Sequence, residues 1–323
     1  MRRGSPVNVL ILSCGTRNKI VQYFKKELAG LGSVIAADCS KLAPALYEAD
    51  RHYIVPRIDS DDYLDAILEI CRENNIRAVL SLIDPELSFL ARHRELFLEN
   101  GVFPIVSDFD VVEMCFDKYE MARFLKAHGY PTARTYISKE DFFSDLEAGV
   151  ITYPVFVKPR KGSASIGTQE VTSSGEIDLL FEKSDDLIIQ EFMDGPELGA
   201  DVYVDMITGE PVSIFVKKKL KMRAGETDKS VSVKDANLFH LIADFVRKAG
   251  LRGILDIDIF CVNGEYYFSE VNPRFGGGYP HAHECGVNMV RMILNNVRGV
   301  RNKPAIGEYQ EGVYMMKYSE VVI

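Results

Sequence analysis

Short apolar runs and helical patterns alternate over the N-terminal third of the chain. The continuous runs predict buried strands, and they are VNVLIL, SVIAAD, AVLSL and VFPIVS. Between them, apolar residues recur every three or four positions near residues 16–31, 61–74 and 85–99, which predicts helices. Strands that alternate with helices predict a parallel sheet covered on both faces. We therefore expect an α/β, Rossmann-like domain over residues 1–107.

The pattern changes after this domain. Residues 108–150 predict two helices around an extended segment, and residues 151–192 predict three strands, a glycine-rich loop and a helix. Residues 197–271 read mostly as antiparallel strands, with one helix near 235–249, and a last helix is expected near 282–294. This mixed α+β order predicts a second unit that is separate from the first.

Composition and charge narrow the class of protein. The 323 residues are 47% hydrophobic and 26% charged, as in ordinary globular proteins. A net charge of −9 argues against nucleic acid as a partner, and no apolar run approaches the roughly 20 residues of a membrane span. The six cysteines show no CxxC spacing, which favours reduced thiols in a cytoplasmic protein over a disulfide framework or a zinc site.

The first predicted strand lacks the glycine fingerprint of dinucleotide-binding domains. GxGxxG is absent, and only Cys14-Gly15-Thr16-Arg17-Asn18 follows the strand. The Rossmann-like domain is therefore not expected to bind a dinucleotide.

A glycine- and serine-rich loop follows an apolar strand in YPVFVKPRKGSASIGT, residues 153–168. Lys158 ends the strand, and Lys161 opens the loop. Glycine and serine let backbone N–H groups turn toward an anion, and a lysine adds a point charge suited to phosphate. No GxxxxGK[ST] motif is present, so the loop is either a phosphate-binding loop of another kind or a hairpin turn with solvated lysines.

A second segment, LIIQEFMDGPELGADVYVD, residues 187–205, is compatible with a purine site but by itself favours a turn. A strand that passes the edge of a flat ligand can offer its backbone groups to a purine, and Glu197 can accept hydrogen bonds from ribose hydroxyls. The alternative is a β-turn with exposed acids.

The segment ILDIDIFCVNGEYYFSEVNPR, residues 254–274, predicts a hairpin that carries acids. Asp256 and Asp258 share one face of the first strand, and Glu270 and Asn272 share one face of the second, because side chains alternate along a strand. Two carboxylates on one face repel each other, and Mg²⁺ relieves this repulsion because carboxylate, amide and phosphate oxygens are its preferred ligands.

The register of this hairpin decides whether the acids meet. Asn263-Gly264 is a hairpin signal, and a plain two-residue loop pairs Asp258 with Ser269. One extra residue, with Gly264 in the left-handed region of a bulge, pairs Asp258 with Glu270 instead. We predict the bulged register, since it alone gathers the acids on one face.

These segments, in this order, resemble the ATP-grasp superfamily, and most closely the carbamoyl-phosphate-synthase-like branch of ATP-dependent ligases. The resemblance covers nearly the whole chain. It implies a pre-ATP-grasp domain at residues 1–107, an ATP-grasp subdomain with a glycine-rich lid at 108–185, and a subdomain with the metal and substrate site at 186–323.

The resemblance also implies roles for single residues. The implied nucleotide contacts are Lys118, Lys158, Lys161, Gly162, Ser163, Ser165, Gly167, Glu191, Phe192, Met193 and Glu197. The implied ligands of Mg²⁺ or Mn²⁺ are Asp258, Glu270 and Asn272. The implied catalytic residues, which neutralise phosphate or contact the substrate carboxylate, are Arg274, Lys217, Lys219 and Arg223.

Among the basic residues, strand alternation makes a prediction of its own. Lys217 and Lys219 should share one face, and Lys218 should point away. The alternative for this segment is a solvated basic strand with a mobile loop.

The resemblance implies acyl-phosphate chemistry. A carboxylate attacks the γ-phosphate of ATP, which gives ADP and an acyl phosphate, and an amine or ammonia then displaces phosphate. The implied partners are a small carboxylate and a small amine, and a homodimer is left open.

One part of the chain departs from the resemblance. After Asn272-Pro273-Arg274, FGGGYPHAHECG replaces the serine-rich, basic stretch of the carbamoyl-phosphate-synthase branch. We therefore favour a carboxylate–amine ligase over phosphorylation of bicarbonate or carbamate, and expect the three glycines to let the backbone approach the acceptor. A kinase without ligation and a non-catalytic nucleotide-binding regulatory protein stay as alternatives.

Overall fold

The N-terminal domain is built on a parallel sheet. The computed structural model describes residues 6–162 and 167–321. The strands of this sheet are β1 (Asn8–Leu12), β2 (Val34–Asp38), β3 (Arg51–Ile54), β4 (Ile76–Ser81) and β5 (Phe103–Pro104). They pair in the order β3-β2-β1-β4-β5. This is the strand order of a Rossmann-like half. The strands are parallel, and the order in which the chain adds them reverses between β1 and β4.

Helices cover both faces of this sheet. They are α1 (Asn18–Leu28), a 3₁₀-helix (Pro44–Glu48), α2 (Tyr63–Glu73), α3 (Asp84–Arg92) and α4 (Arg94–Glu99). Alternate residues of β1 pack into different cores, Val9 and Ile11 on one side and Leu10 and Leu12 on the other. The predicted parallel sheet with two covered faces is thus confirmed.

Two details of this domain differ from the prediction. β3 was not predicted, because it is a largely exposed edge strand and its sequence, RHYI, has no apolar run. The single helix expected over residues 85–99 is two helices, which meet at His93.

A smaller antiparallel sheet follows. Its elements, with the two helices that precede it, are α5 (Phe109–Phe116), α6 (Lys118–Ala127), β6 (Thr135–Tyr136), α7 (Lys139–Glu147), β7 (Val155–Pro159), β8 (Gln169–Val171), α8 (Ser174–Phe181) and β9 (Leu187–Glu191). The strands pair in the order β6-β9-β7-β8. The last strand of this sheet, β9, begins at Leu187, two residues after the predicted subdomain boundary at residue 185.

The largest sheet forms the C-terminal part. Its elements are β10 (Glu197–Val204), β11 (Pro211–Arg223), β12 (Glu226–Val233), α9 (Ala236–Lys248), β13 (Gly253–Val262), β14 (Glu265–Asn272), α10 (Tyr279–Glu284), α11 (Met289–Val297) and β15 (Tyr314–Met316). The order is β14-β13-β10-β11-β12-β15. The helix expected over 282–294 is divided between α10 and α11, and Gly286, with φ of 91°, follows the end of α10.

Side-chain alternation gives this sheet two different faces. Ala200, Val202 and Ile257 face a core that includes α9. Asp201 and Asp256, from the same strands and opposite one another, face the other way. The polar face is therefore available for chemistry while the apolar face holds the sheet in place.

The first and the largest sheets share one hydrophobic cluster. Phe24 of α1 contacts Phe275 edge-to-face with ring centroids 6.1 Å apart, and Met289 of α11 belongs to the same cluster as Val9 of β1. The two parts of the chain are thereby joined through apolar packing. The predicted fold class, α/β followed by α+β, is confirmed, and the exact domain division stays a prediction.

None of the helices in the described part of the chain combines the length and the apolar character that a membrane span needs.

Candidate active site

The β13–β14 hairpin brings the acids together. Asp258 pairs with Glu270, so the predicted register is confirmed. The turn itself is a plain two-residue loop at Asn263 and Gly264, both with positive φ, and the extra residue is Ser269. The bulge therefore lies inside β14 and not at Gly264, because Asn-Gly already satisfies a two-residue turn.

Lys219 joins this acid cluster from β11. Its Nζ lies 2.6 Å from Asp258 Oδ1 and 2.7 Å from Glu197 Oε1. Burial alone would lower the pKa of Lys219, but Asp258 and Glu197 together raise it above its usual range. Burial raises the pKa of Asp258. The positive charge of Lys219 opposes this rise, and the negative charges of Glu197 and Glu270 add to it. The cluster thus holds more negative charge than one lysine neutralises.

The donor set of this cluster fits a hard divalent cation. Asp258 and Glu270 are opposite residues, and Asn272 lies two residues further along the same face of β14. Within residues 6–162 and 167–321, no group of three or more His, Cys, Asp and Glu side chains is arranged to hold a metal by itself. Two carboxylates and one amide are nevertheless what Mg²⁺ takes from a protein when phosphate and water complete its coordination.

A cavity of about 190 Å³ lies between the small and the large sheet. Seven of the predicted nucleotide contacts line it: Lys118, Lys158, Lys161, Gly162, Glu191, Met193 and Glu197. Asp258 and Glu270 also line it. Burial lowers the pKa of Lys158, and the negative charge of Glu270 opposes that effect. No described residue forms an ion pair with Lys158, so its charge suits an anionic partner.

The remaining predicted nucleotide contacts do not line this cavity. Phe192 stacks on Phe156 with centroids 5.5 Å apart, and it is the Phe156 ring that borders the cavity. Gly167 lies against Pro159, while its neighbour Thr168 reaches the cavity. Ser163 and Ser165 fall outside the described residues.

A second cavity, of about 380 Å³, lies on the other side of the acids. It shares Asp258, Glu270 and Glu197 with the first cavity. Lys219 and Arg274 line it, as the sequence predicted for catalytic residues. The two cavities thus meet at one cluster of carboxylates.

The structure places two of the predicted basic residues elsewhere. Lys217 is fully buried and pairs with Asp201 at 2.5 Å, and it borders neither cavity. Arg223 is 60% exposed and lies 3.7 Å from Asp228. The pairing of β11 with β12 shifts after Lys219, so the alternation that would have brought Arg223 to the cavity brings Met222 there instead.

Lys218 behaves as alternation predicts. It is exposed on the face opposite Lys217 and Lys219.

The three glycines after Arg274 make room for charged side chains. A Cβ on Gly276 would lie 2.2 Å from Asp256 Cγ, and one on Gly278 would lie 2.5 Å from Lys217 Cε. Gly277 and Gly278 also line the second cavity. In this structure, the groups that come close to these glycines are charged side chains of the protein itself.

The two histidines after the glycines have structural partners. His281 is buried, with Nδ1 2.8 Å from Ser230 Oγ and Nε2 3.0 Å from the Val313 carbonyl oxygen. Burial lowers the pKa of His281 to about 4. The His283 ring stacks on Tyr23 with centroids 3.6 Å apart. Both rings are thereby engaged within the protein.

Sequence reasoning missed the contribution of the N-terminal domain. Arg17 and Asp84 line the second cavity, and Arg274 Nη2 lies 2.7 Å from Asp84 Oδ2. Arg17 follows β1 and Asp84 follows β4, at the carboxyl ends of adjacent parallel strands. Open α/β sheets bind ligands beyond the carboxyl ends of their strands. That general rule could have identified Arg17 and Asp84 from the sequence.

Comparison with known proteins places the chain in a family. A model described as an ATP-grasp domain matches residues 115–278, more than half of the chain. The chain belongs to the ATP-grasp family. A model described as a PylC-like, N-terminal domain matches residues 9–105. The resemblance inferred from the sequence is therefore confirmed.

Several known proteins match most of the chain. Carbamoyl-phosphate synthase of Methanobrevibacter smithii is 27% identical over 294 residues, which are 86% of this chain and 77% of that protein. N5-carboxyaminoimidazole synthetase from Staphylococcus aureus complexed with ADP superposes with a TM-score of 0.75 at 15% identity, covering 95% of this chain and 81% of that one. The biotin carboxylase domain of Hydrogenobacter thermophilus 2-oxoglutarate carboxylase superposes with a TM-score of 0.74 at 20% sequence identity. The match covers 95% of this chain and 73% of that one. At such identities the two structures establish a common fold.

Proposed function

We propose that this ATP-grasp protein is an ATP-dependent ligase that joins a carboxylate to an amine or ammonia through an acyl phosphate. ADP and phosphate are the other products. The observation that carries the proposal is the meeting of two cavities at Asp258 and Glu270. A nucleotide in the first cavity would have its terminal phosphate at these acids, and an acceptor in the second would face it.

The first cavity has the groups that ATP requires. Lys158 and Lys118 supply positive charge for the phosphates, and Glu191 and Met193 lie at the edge where a purine would meet the backbone. Glu197 is within reach of both cavities and is the proposed ribose contact. The cavity wall thus supports a nucleotide with its phosphates pointing toward the large sheet.

Asp258, Glu270 and Asn272 would hold Mg²⁺ or Mn²⁺. When bound, the ion neutralises phosphate charge and supports phosphoryl transfer. Lys219 keeps its ammonium group against Asp258 and Glu197, so it limits the repulsion within the cluster and is close enough to contact a phosphate oxygen. These residues mainly position reactants and balance charge.

Arg274 is the proposed contact for the reacting carboxyl and phosphoryl groups. It is buried, and the pair with Asp84 fixes one end of its guanidinium group. Its Nε has no hydrogen-bond partner among the described residues. A buried donor without a partner supports a role in binding an anion, because leaving it unpaired costs free energy.

In the proposed reaction, a carboxylate oxygen attacks the γ-phosphorus of ATP, and the bond to the β-γ bridging oxygen breaks to give ADP. The amine nitrogen then attacks the carbonyl carbon, and phosphate leaves with the electron pair of the C–O bond. The amine releases its protons to phosphate and water. No covalent enzyme intermediate is required, and the proposed partners are small molecules in the cytoplasm.

ADP release from MgATP tests the proposal. A panel of carboxylates is assayed alone and with amines, and bicarbonate and ammonia are included. A requirement for both a carboxylate and an amine or ammonia supports the ligase. ADP release with bicarbonate and ammonia alone would point to carbamoyl-phosphate-synthase-like chemistry, and release with a carboxylate alone would point to a kinase. A protein that binds no MgATP would overturn the proposal.

A further inference from the structure

The second cavity lies beside β1 and β4, where the strand order of the N-terminal sheet reverses. Arg17 and Asp84 come from the carboxyl ends of β1 and β4, and Asp256 and Arg274 come from the polar face of the large sheet. A crevice of this kind is the general ligand-binding place of open α/β sheets. The N-terminal domain, which carries no dinucleotide fingerprint, thus supplies one wall of the acceptor cavity.

Most charged groups around this cavity have partners within the protein. Glu226 lies 2.9 Å from Arg17 Nη2 and 2.8 Å from Lys317 Nζ. Asp84 is paired with Arg274, as described above. These pairs fix the wall of the cavity and leave little charge free for a ligand.

Besides Arg274 Nε, two groups of opposite charge are exceptions in the part of the chain that the structure describes. Asp256 accepts no hydrogen bond from a described residue. Burial, together with the charge of Asp258, raises its pKa, and nearby cations oppose that effect. Arg17 Nη1 is buried and has no hydrogen-bond partner. A carboxyl group without a hydrogen-bond partner and a guanidinium group with one unpartnered nitrogen therefore line the same cavity. Such groups are costly unless a ligand satisfies them.

The glycine run protects these same two groups. A Cβ on Gly276 would lie 2.2 Å from Asp256 Cγ, and a Cβ on Gly277 would lie 2.8 Å from Arg17 Nη1. Any side chain at either position would displace the carboxylate or the guanidinium group. The sequence thus leaves room for both groups, although Asp256 accepts no hydrogen bond from a described residue and Arg17 is held by Glu226 through Nη2 only.

We propose that this cavity binds a free amino acid as the amine acceptor, with its amino group on Asp256 and its carboxylate on Arg17. The inference rests on the proposed ligase activity and names its acceptor class. Asp256 lies two residues from Asp258 on one strand face, a spacing of about 6.6 Å. An amine on Asp256 is therefore next to the proposed site of the acyl phosphate, within reach of its carbonyl carbon.

Binding measurements test this inference without knowledge of the carboxylate donor. The probes are the twenty common amino acids and their carboxamides, such as glycine with glycinamide, each added with MgADP. Thermal unfolding reports binding, and calorimetry gives Kd for any amino acid that raises Tm. We expect at least one amino acid to bind and its carboxamide to bind roughly 10- to 100-fold more weakly, as for the loss of one charge-assisted contact.

Two variants assign the contacts. Arg17→Gln should remove the preference for the amino acid over its carboxamide, and Arg17→Lys should restore part of it. Asp256→Asn should weaken both ligands by roughly 10- to 100-fold. Arg57→Gln and Glu265→Gln change exposed residues away from the cavity and serve as matched controls. A cooperative thermal transition in each variant verifies folding.

The outcomes separate this inference from the ligase proposal. If wild-type protein binds no MgATP or MgADP, the proposed function fails and the inference fails with it. If nucleotide binds but no amino acid does, or if amino acids and carboxamides bind equally, only the inference fails. Unchanged affinities in both variants would also overturn it, because the ligand would then lie elsewhere.

Discussion

Asp258 and Glu270 face each other across the β13–β14 hairpin because Ser269 is an extra residue in β14. In a regular hairpin with the same turn, Ser269 would stand opposite Asp258, and Glu270 would point to the apolar core. A single bulged residue therefore decides whether the large sheet has an acidic site. Bulges are often found beside active sites for this reason.

Glu270→Ala should abolish Mg²⁺-dependent turnover while the fold persists. The change removes one of two carboxylates, so we expect activity to fall at least about 100-fold, as when the groups around a metal are changed. ADP release and thermal unfolding are measured together. Glu265→Ala, at an exposed position of the same strand, is the control. Full activity in Glu270→Ala would show that the metal assignment is wrong.

Lys158→Ala should weaken ATP binding by about 1.5–3 kcal/mol, the range for a hydrogen bond to a charged group. The lysine lines the first cavity, the proposed nucleotide site, and has no ion pair in the described structure. Titration calorimetry with MgATP measures the change. Lys183→Ala, an exposed lysine in the same subdomain, should leave affinity unchanged. Equal affinities for the two variants would mean that the Lys158 loop is a solvated turn.

Lys219→Met and Lys218→Met form a matched pair on one strand. Removal of Lys219 leaves Asp258 and Glu197 without their partner, so the free energy of unfolding should drop by about 1–3 kcal/mol. Lys218 is exposed, and its replacement should change stability by less than about 0.5 kcal/mol. Urea denaturation compares them. A similar loss in both variants would contradict the inward position of Lys219.

His281 should make stability depend on pH below neutrality. Burial, with the charge of Lys217, lowers its pKa from 6.5 to about 4. The unfolded chain therefore takes up a proton on this ring at a pH where the folded protein keeps it neutral, and stability is lost as pH falls from about 6.5 toward 4. The slope from one such group approaches about 1.4 kcal/mol per pH unit.

His281→Gln tests this dependence. Glutamine can keep hydrogen bonds to Ser230 and the Val313 carbonyl but does not titrate. Urea denaturation at pH 7 and pH 5 should show a smaller loss for the variant than for wild type. Parallel curves for the two proteins would assign the acid sensitivity to other groups.

Gly276→Ala should destabilise the protein by about 1–3 kcal/mol, because the new methyl group would overlap the Asp256 carboxylate. Gly175, in the first turn of α8, has open space around its Cβ position. Gly175→Ala should be neutral or stabilising by up to about 1 kcal/mol, since alanine favours a helix. Thermal unfolding measures both, and equal effects would contradict the close packing at Gly276.

The sequence predicts local pattern well in this chain. Alternation placed Asp256 with Asp258 and Lys219 with Lys217, because each prediction needs only the period of a strand. Arg223 was assigned by the resemblance alone. Its place outside the two cavities follows from the register shift after Lys219, which depends on how β12 pairs with β11 and has no signal in the local sequence.

Contacts between distant elements were beyond sequence reasoning. Arg17 and Arg274 are 257 positions apart in the numbering and meet only because the first and the largest sheets are packed together. The pairing of Arg274 with Asp84 has the same origin. From the sequence, such a contact can be expected only by the general rule that α/β sheets bind ligands at the carboxyl ends of their strands.

The hydrophobic cluster that joins Phe24 to Phe275 limits how this protein can be recombined with its relatives. A chimaera with another N-terminal sheet would need new partners for Phe275 and Met289, and it would lose Arg17 and Asp84 from the acceptor cavity. For the proposed ligase, a new acceptor specificity would therefore draw on residues from both parts of the chain.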